Sequence, residues 1–230
     1  MIKNYIFDVD RTLVNSYLPE LETLKEALLI STGKNYSDEV MNKLTILTTD
    51  EFFKSLGIDV YSTLMSEINH NWGVLLDKRK IDFFDGVKEL LYYLKNEGYF
   101  LGIATSRDMD ELHELSDIIE CLDLFDYVVT SDMVKYPKPN PESINMIIDK
   151  YNLDITKSIM IGNDSISDIA GAKSVGLDTF YIHSNISPKL PEETVALPDG
   201  TGKKRKIMPD ADFVLDGMDM ERVREMLLGE

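Results

Sequence analysis

Short apolar segments recur along the chain and alternate with amphipathic stretches. The segments that predict strands are Tyr5–Phe7, Phe100–Ala104, Tyr127–Val129, Ser158–Ile161, Thr179–Ile182 and Phe213–Leu215. After the helix start signal Asn140-Pro141, in which Asn is the expected N-cap, apolar residues repeat at helical spacing. A second helix is predicted from about Ser167 to Val175, ended by Gly176. This alternation predicts an α/β fold: a Rossmann-like, doubly wound, mostly parallel sheet with covering helices.

Residues 16–82 interrupt the alternation. They contain several helical patterns in succession without a strand-like segment, so we predict an α-helical cap domain inserted after the first strand. Residues 1–15 and 83–230 would then form the α/β core. Within the core, residues 184–211 contain four prolines and the turn signal Asp199-Gly200, which favours a long loop or a small hairpin.

Composition narrows the class of protein. With 43% hydrophobic and 28% charged residues, the chain is typical of a soluble globular protein. It contains neither an apolar run of membrane-spanning length nor a signal peptide, so we expect a cytoplasmic location and no membrane partner. Cys121 is the only cysteine, which excludes an intrachain disulfide and a cysteine-based zinc site. The net charge of −17 argues against nucleic acid as a partner.

Polar side chains that could take part in catalysis or bind a ligand follow the predicted strands. Because the carboxyl ends of parallel strands share one edge of a sheet, these residues should lie close together. They are Asp8, Asp10, Thr105, Ser106, Lys138, Asp164 and Asp168.

Several carboxylates at one edge repel one another unless a cation lies among them. An oxygen-rich set of ligands suits a hard divalent ion, and we expect Mg²⁺. With a lysine and backbone amides nearby, such a site could hold phosphate oxygens and spread their charge. Phosphoryl transfer is therefore the predicted chemistry.

Four motifs then carry a family resemblance. Asp8-Val9-Asp10-Arg11-Thr12 matches the pattern Asp-x-Asp-x-Thr, and Thr105 closes a strand in "LGIATSR". Lys138 stands in "PKPNP", and an aspartate pair four residues apart, Asp164 and Asp168, follows the fourth strand. In this order the chain resembles the haloacid dehalogenase-like hydrolase superfamily, in its phosphoglycolate phosphatase-like branch with a helical cap.

The resemblance implies a two-step hydrolysis of a phosphate monoester. Asp8 would attack phosphorus to give an aspartyl phosphate, and Asp10 would protonate the leaving oxygen and later deprotonate water. Thr105, Lys138 and, as a weaker candidate, Ser106 would bind the phosphoryl group. Arg107, next in the chain, is not expected to be essential.

The resemblance also implies the metal ligands: Asp8 and Asp164 through their carboxylates, Asp10 through its backbone carbonyl, and Asp168 at or just behind them. The expected protein is a Mg²⁺-dependent phosphatase acting on a small phosphorylated metabolite. A monomer is the working expectation, although the sequence does not fix the oligomeric state. Substrate-selecting residues should lie in the cap, where Tyr61, His70 and Trp72 can equally be structural.

Two other functions stay open at this point. A phosphomutase of the β-phosphoglucomutase type shares the same motifs, and a non-catalytic phosphate-binding protein could use the same fold. A dehalogenase is disfavoured because Asp10, which protonates an oxygen leaving group, is present.

Two further features depart from the family pattern or lie outside it. Arg11 occupies a position where glycine is commonest in the family, and we expect it to have an ordinary backbone conformation and to project toward the cap or the substrate. The basic run Lys203–Lys206 is most simply a solvated loop. Our hypothesis for it is that it attracts anionic substrates to an acidic protein.

Overall fold

The computed structural model describes residues 2–45, 47, 49–76, 81–183, 195–196, 204–205, 210–217 and 219–228. The strands are β1 Asn4–Phe7, β2 Phe100–Ala104, β3 Tyr127–Val129, β4 Ser158–Gly162, β5 Asp178–His183, β6 Val195–Ala196, β7 Lys204–Arg205 and β8 Phe213–Asp216. The α-helices are α1 Tyr17–Thr32, α2 Asp38–Met41, α3 Thr49–Ser55, α4 Thr63–Leu76, α5 Val87–Asn96, α6 Met109–His113, α7 Ser116–Cys121, α8 Glu142–Tyr151, α9 Gly171–Lys173 and α10 Met220–Leu228.

Six of the strands form one parallel sheet in the order β3-β2-β1-β4-β5-β8. The predicted fold class is confirmed, and each predicted strand of this sheet agrees with the structure to within one residue at either end. Strand order reverses between β1 and β4, which are hydrogen-bonded neighbours. In doubly wound sheets, ligands bind at the carboxyl ends of the strands beside such a reversal.

The central strands are buried on both faces. All residues of β1 and β4 are buried, because helices cover both sides of a parallel sheet. On one side, Ile6 and Met160 from these strands pack in a cluster with Ile144 and Ile147 of α8. This packing fixes the strand ends on which the candidate site is built.

Two predicted helices begin at other residues than expected. The predicted N-cap Asn140 is wrong by one residue, since Pro141 precedes the first residue of α8. Asn140 Oδ1 nevertheless accepts a hydrogen bond from the amide of Glu142 at 3.1 Å, so it supplies the capping interaction from one position further out. The other helix starts at Ser165 with a π-helical turn, Ser165–Ala170, and continues into α9. Gly176 follows with a φ of 83°, as expected of a glycine that ends a helix.

The chain divides into two compact units. One contains Met1–Asn15, Ile81–Asn185 and Pro209–Glu230, and the other contains Ser16–Lys80 and Ile186–Met208. The second unit holds α1 to α4, whose buried residues include Leu24, Leu28, Phe52, Phe53 and Ile68.

Trp72 packs against the hydrophobic cluster of the helical unit. Its indole Nε1 donates a hydrogen bond to Thr23 Oγ1 at 3.2 Å. Trp72 is therefore part of the core of that unit, whereas Tyr61 is 91% exposed and His70 is also exposed.

Part of the segment 184–211 forms an antiparallel pair of short strands. Val195 in β6 pairs with Arg205 in β7, and Ala196 pairs with Lys204, in agreement with the predicted hairpin. The predicted turn Asp199-Gly200, together with Lys203 and Lys206 of the basic run, lies outside the described residues. Over the described parts of the chain, the helices are too short or too polar to cross a membrane.

Candidate active site

Asp8 follows β1 directly and lies at the carboxyl edge of the sheet. Its amide donates to the carbonyl oxygen of Ile161 in β4 at 2.9 Å, so the parallel ladder places it beside the end of β4. The side chain is largely buried and accepts two hydrogen bonds, from Lys138 Nζ to Oδ1 at 2.7 Å and from Thr12 Oγ1 to Oδ2 at 3.3 Å. Burial and the negative charge of Asp168 outweigh the attraction of Lys138 and raise the pKa of Asp8 to about 7.

Lys138 lies between two buried carboxylates. Its ammonium contacts Asp8 Oδ1 at 2.7 Å and Asp168 Oδ1 at 2.6 Å, and its side chain is only 3% exposed. Burial would lower the pKa of this lysine, but the charges of Asp168 and Asp8 and the hydrogen bonds to both outweigh it and raise the pKa. One ammonium therefore serves two carboxylates.

The loop that carries Lys138 is fixed by hydrogen bonds and close packing. The carboxylate of Glu142 accepts from the amides of Lys135 at 3.0 Å and Tyr136 at 2.8 Å, which ties the loop to the first turn of α8. On another side, a Cβ on Gly171 would lie 3.0 Å from the carbonyl oxygen of Pro139. A residue without a side chain thus lets α9 approach the lysine loop.

Asp164 and Asp168 shape the turn after β4. Asp164 Oδ1 accepts from the amides of Ile166 at 2.8 Å and Ser167 at 2.7 Å, as a helix N-cap does. Asp168 Oδ2 accepts from the amide of Asp164 at 3.0 Å, and its other oxygen faces Lys138. Burial raises the pKa of Asp168 despite the neighbouring lysine.

The loop after β1 turns sharply, and this overturns one expectation about it. Arg11 has a φ of 59°, so its backbone is left-handed and not of the ordinary conformation predicted. Its amide donates to the carbonyl of Val14 at 2.9 Å, while the amides of Thr12 and Leu13 both donate to the carbonyl of Val9. The turn brings the Thr12 hydroxyl back to Asp8, and glycine is commonest here because it takes this conformation without strain.

The loop after β2 adds a partner that was not foreseen. Thr105 is 3% exposed, and its hydroxyl accepts a hydrogen bond from the amide of Arg107 at 3.1 Å, whereas Ser106 is exposed. The Arg107 guanidinium holds the Asp10 carboxylate with two hydrogen bonds, from Nε to Oδ2 at 2.8 Å and from Nη2 to Oδ1 at 2.6 Å. Arg107 was not expected to be essential. The one signal in the sequence for a role of Arg107 is its position two residues after Thr105, which ends β2.

The side chains of the predicted site can be compared with the ligands that a metal ion requires. In the described part of the chain, no three His, Cys, Asp or Glu residues form a ready group of metal ligands. The chemistry of the donors nevertheless fits Mg²⁺, because they are carboxylate oxygens. When all four aspartates of the predicted site are ionised, their negative charges exceed the positive charges of Lys138 and Arg107 by two, which is the charge that one divalent cation would balance.

The predicted residues therefore fall into two contact groups. Hydrogen bonds link Asp8, Lys138, Asp168 and Asp164 into one chain of contacts, and Asp10, Arg107 and Thr105 form another. Ser106 is exposed after Thr105, and its part in phosphate binding stays a prediction.

The sheet order and the buried Asp-Lys-Asp cluster define an α/β protein with an acidic site at its topological switch point. The model of the haloacid dehalogenase-like hydrolase family matches residues 5–182, and the chain belongs to this family. The predicted family is thereby confirmed.

Two relatives with similar sequences are named as phosphatases. The chain is 33% identical over 96 residues to glyceraldehyde 3-phosphate phosphatase of Pyrococcus abyssi, a match that covers 42% of this chain and 40% of that protein. It is 27% identical over 194 residues to phosphoglycolate phosphatase of Aliivibrio fischeri, covering 79% and 84% of the two chains. The structure of a hydrolase from Pseudomonas syringae superposes with a TM-score of 0.69 at 20% identity, over 97% of this chain and 98% of the other. The last comparison supports the fold alone.

Proposed function

We propose that this protein is a Mg²⁺-dependent phosphatase that hydrolyses a small phosphorylated metabolite through an aspartyl phosphate. One observation carries the proposal: the Asp8 carboxylate, at the switch point of the sheet, is held by Lys138 Nζ at 2.7 Å and by the Thr12 hydroxyl. A carboxylate fixed in this way can attack an electrophile in one direction. The names of the relatives, which are phosphatases, support the same reaction type.

In the first step an oxygen of Asp8 forms a bond to phosphorus while the bond from phosphorus to the ester oxygen breaks. Asp10 gives its proton to the departing oxygen. In the second step water attacks the phosphorus, Asp10 takes a proton from that water, and Asp8 is released. Thr105 and Ser106 would donate hydrogen bonds to the phosphoryl oxygens, and Lys138 would offset their charge.

Bound Mg²⁺ would supply positive charge against the transferring phosphoryl oxygens. We assign it to the carboxylates of Asp8 and Asp164 and to the backbone carbonyl of Asp10, with Asp168 at or behind these ligands. Asp168 also keeps Lys138 in place, at 2.6 Å from its ammonium. We further propose that the helical unit acts as a cap that restricts substrates to small molecules.

A panel of phosphorylated metabolites, assayed for phosphate release with and without MgCl₂, tests the proposal. Asp8→Asn is the matched control, because it keeps the shape of the side chain but removes the nucleophile. We expect turnover of some substrates by the wild type only, and loss of turnover when the metal is chelated. Acid quenching with phosphorus-labelled substrate should leave label on the wild-type protein and none on Asp8→Asn.

The same panel separates the two alternatives. A phosphomutase would isomerise a sugar phosphate in the presence of a sugar bisphosphate instead of releasing phosphate to water. A non-catalytic binding protein would bind phosphate without turnover. Equal turnover by wild type and Asp8→Asn would overturn the proposed mechanism.

A further inference from the structure

Asp10 and Arg107 are 97 residues apart in the chain and form a two-point ion pair. Both carboxylate oxygens are engaged, Oδ2 by Nε at 2.8 Å and Oδ1 by Nη2 at 2.6 Å. The two side chains are 12% and 26% exposed for Arg107 and Asp10, respectively. A planar guanidinium that binds both oxygens fixes the orientation of a carboxylate as well as its position.

Arg107 is itself held at its backbone. Its amide donates to the Thr105 hydroxyl at 3.1 Å, and its carbonyl oxygen accepts from the amide of Ser131 at 2.9 Å. The loop that follows β2 is therefore anchored on the loop that follows β3. Because Thr105 is the proposed phosphoryl-binding residue, the Asp10 carboxylate has a defined position relative to the phosphoryl group.

We propose that Arg107 is a positioning residue for Asp10, an inference that rests on the proposed function. Asp10 lies beyond the end of β1, next to the left-handed Arg11, where its backbone forms an isolated bridge with Val14 and is not part of the main sheet. Rotating its side chain away would break both hydrogen bonds to the guanidinium at once. A displacement of about 1 Å in a reacting group can cost about 100-fold in rate.

If Arg107 positions Asp10 for proton transfer, the effect of losing Arg107 depends on the leaving group of the substrate. In this role Arg107 forms no bond to substrate. Asp10, protonated before the first step, gives its proton to the leaving oxygen as the bond from that oxygen to phosphorus breaks, and the guanidinium binds the carboxylate that results at both oxygens. An alkoxide is a poor leaving group and needs this proton, whereas p-nitrophenolate departs without it. Loss of Arg107 should therefore slow the cleavage of an alkyl phosphate more than that of p-nitrophenyl phosphate.

The experiment measures kcat and KM for Arg107→Met and Arg107→Lys on an alkyl phosphate identified in the panel and on p-nitrophenyl phosphate. Arg222→Met, which removes an exposed arginine of α10, is the matched control, and circular dichroism establishes that each variant is folded. For Arg107→Met we expect kcat on the alkyl phosphate to fall by about 100-fold, with KM little changed. Arg107→Lys should recover only part of the loss, since lysine keeps the charge without the two-point geometry.

A double variant completes the test. If Arg107 acts through Asp10, then Asp10→Asn with Arg107→Met should be no slower than Asp10→Asn alone. The inference would be overturned if the rate losses of the two single variants multiplied in the double variant. It would also be overturned if Arg107→Met lost the same factor on both substrates. A raised KM at unchanged kcat would overturn it too, because it would indicate that Arg107 binds the phosphate directly. Undiminished activity of Arg107→Met beside an active wild type would overturn this inference alone. An inactive wild type would overturn the proposed function and this inference with it.

Discussion

Lys138 and Asp168 form a buried ion pair in which Nζ lies 2.6 Å from Oδ1, and the two side chains are 3% and 1% exposed. The same ammonium also binds Asp8, so one cation holds a carboxylate that follows β1 and one from the π-helical turn after β4. Removing one member of a buried set leaves the others without compensation, which is costly in a medium of low dielectric constant. This cluster should therefore matter for stability as well as for chemistry.

Lys138→Met should lower the free energy of unfolding by about 3–5 kcal/mol at pH 7, because two buried carboxylates lose their cation. Urea denaturation followed by circular dichroism measures the change. Lys157→Met is the control: Lys157 pairs with Asp154 at 2.8 Å on the surface, and such pairs contribute less than about 1 kcal/mol. Similar losses in the two variants would contradict the special cost of the buried cluster.

Gly162→Ala should destabilise the protein by about 1–3 kcal/mol through overpacking. A Cβ at this position would lie 2.6 Å from both Cβ and Cγ of Asp168, so the aspartate would be displaced from Lys138. Gly73→Ala in α4 is the matched control, since a Cβ there would meet nothing within 4 Å. That change should stabilise the helix by about 0.5–1 kcal/mol, which gives the two Gly→Ala variants opposite signs in thermal unfolding.

Arg11→Gly should be more stable than Arg11→Ala by about 1 kcal/mol, because a φ of 59° strains any residue that has a Cβ. Both variants remove the arginine side chain, so their difference isolates the backbone. At an ordinary position the order is reversed, and alanine is the more stable residue. Chemical denaturation of the two variants in parallel measures the sign; a more stable alanine variant would argue against the left-handed turn.

Asp212 should make stability depend on pH. Burial raises the pKa of its carboxyl, but hydrogen bonds from Thr179 and Lys173 outweigh burial and hold the pKa below the usual range. The ionised form thus favours the folded state above the ordinary aspartate pKa of about 4, and this stabilisation is lost as pH falls through the lowered value.

Asp212→Asn should accordingly lower the free energy of unfolding by less than about 1 kcal/mol at pH 7, because water screens a side chain that is 38% exposed, and by progressively less toward acid pH. Unfolding measured from pH 7 down to acid pH, with the exposed Asp210→Asn as control, tests this. A difference that does not change with pH would assign the effect to shape and not to charge.

Much of the fold could be predicted because it depends on local patterns. Apolar segments located the strands of the main sheet, and the helical patterns within residues 16–82 correspond to α1 to α4. Helix starts were less certain: Asn140 caps α8 from one residue further out, and the helix after β4 begins with a π-turn. Helix ends depend on single hydrogen bonds, which competing polar side chains can satisfy in more than one way.

The sequence by itself determined which residue types stand at the strand ends, because strand periodicity and motif order are properties of short segments. Only the tertiary structure decided that Arg11 is left-handed, that one lysine serves two aspartates, and that Arg107 holds Asp10 across 97 residues of chain. The physical reason is distance. A hydrogen bond requires donor and acceptor to approach within about 3 Å, and loops from separate strands meet that condition only after the whole sheet has packed.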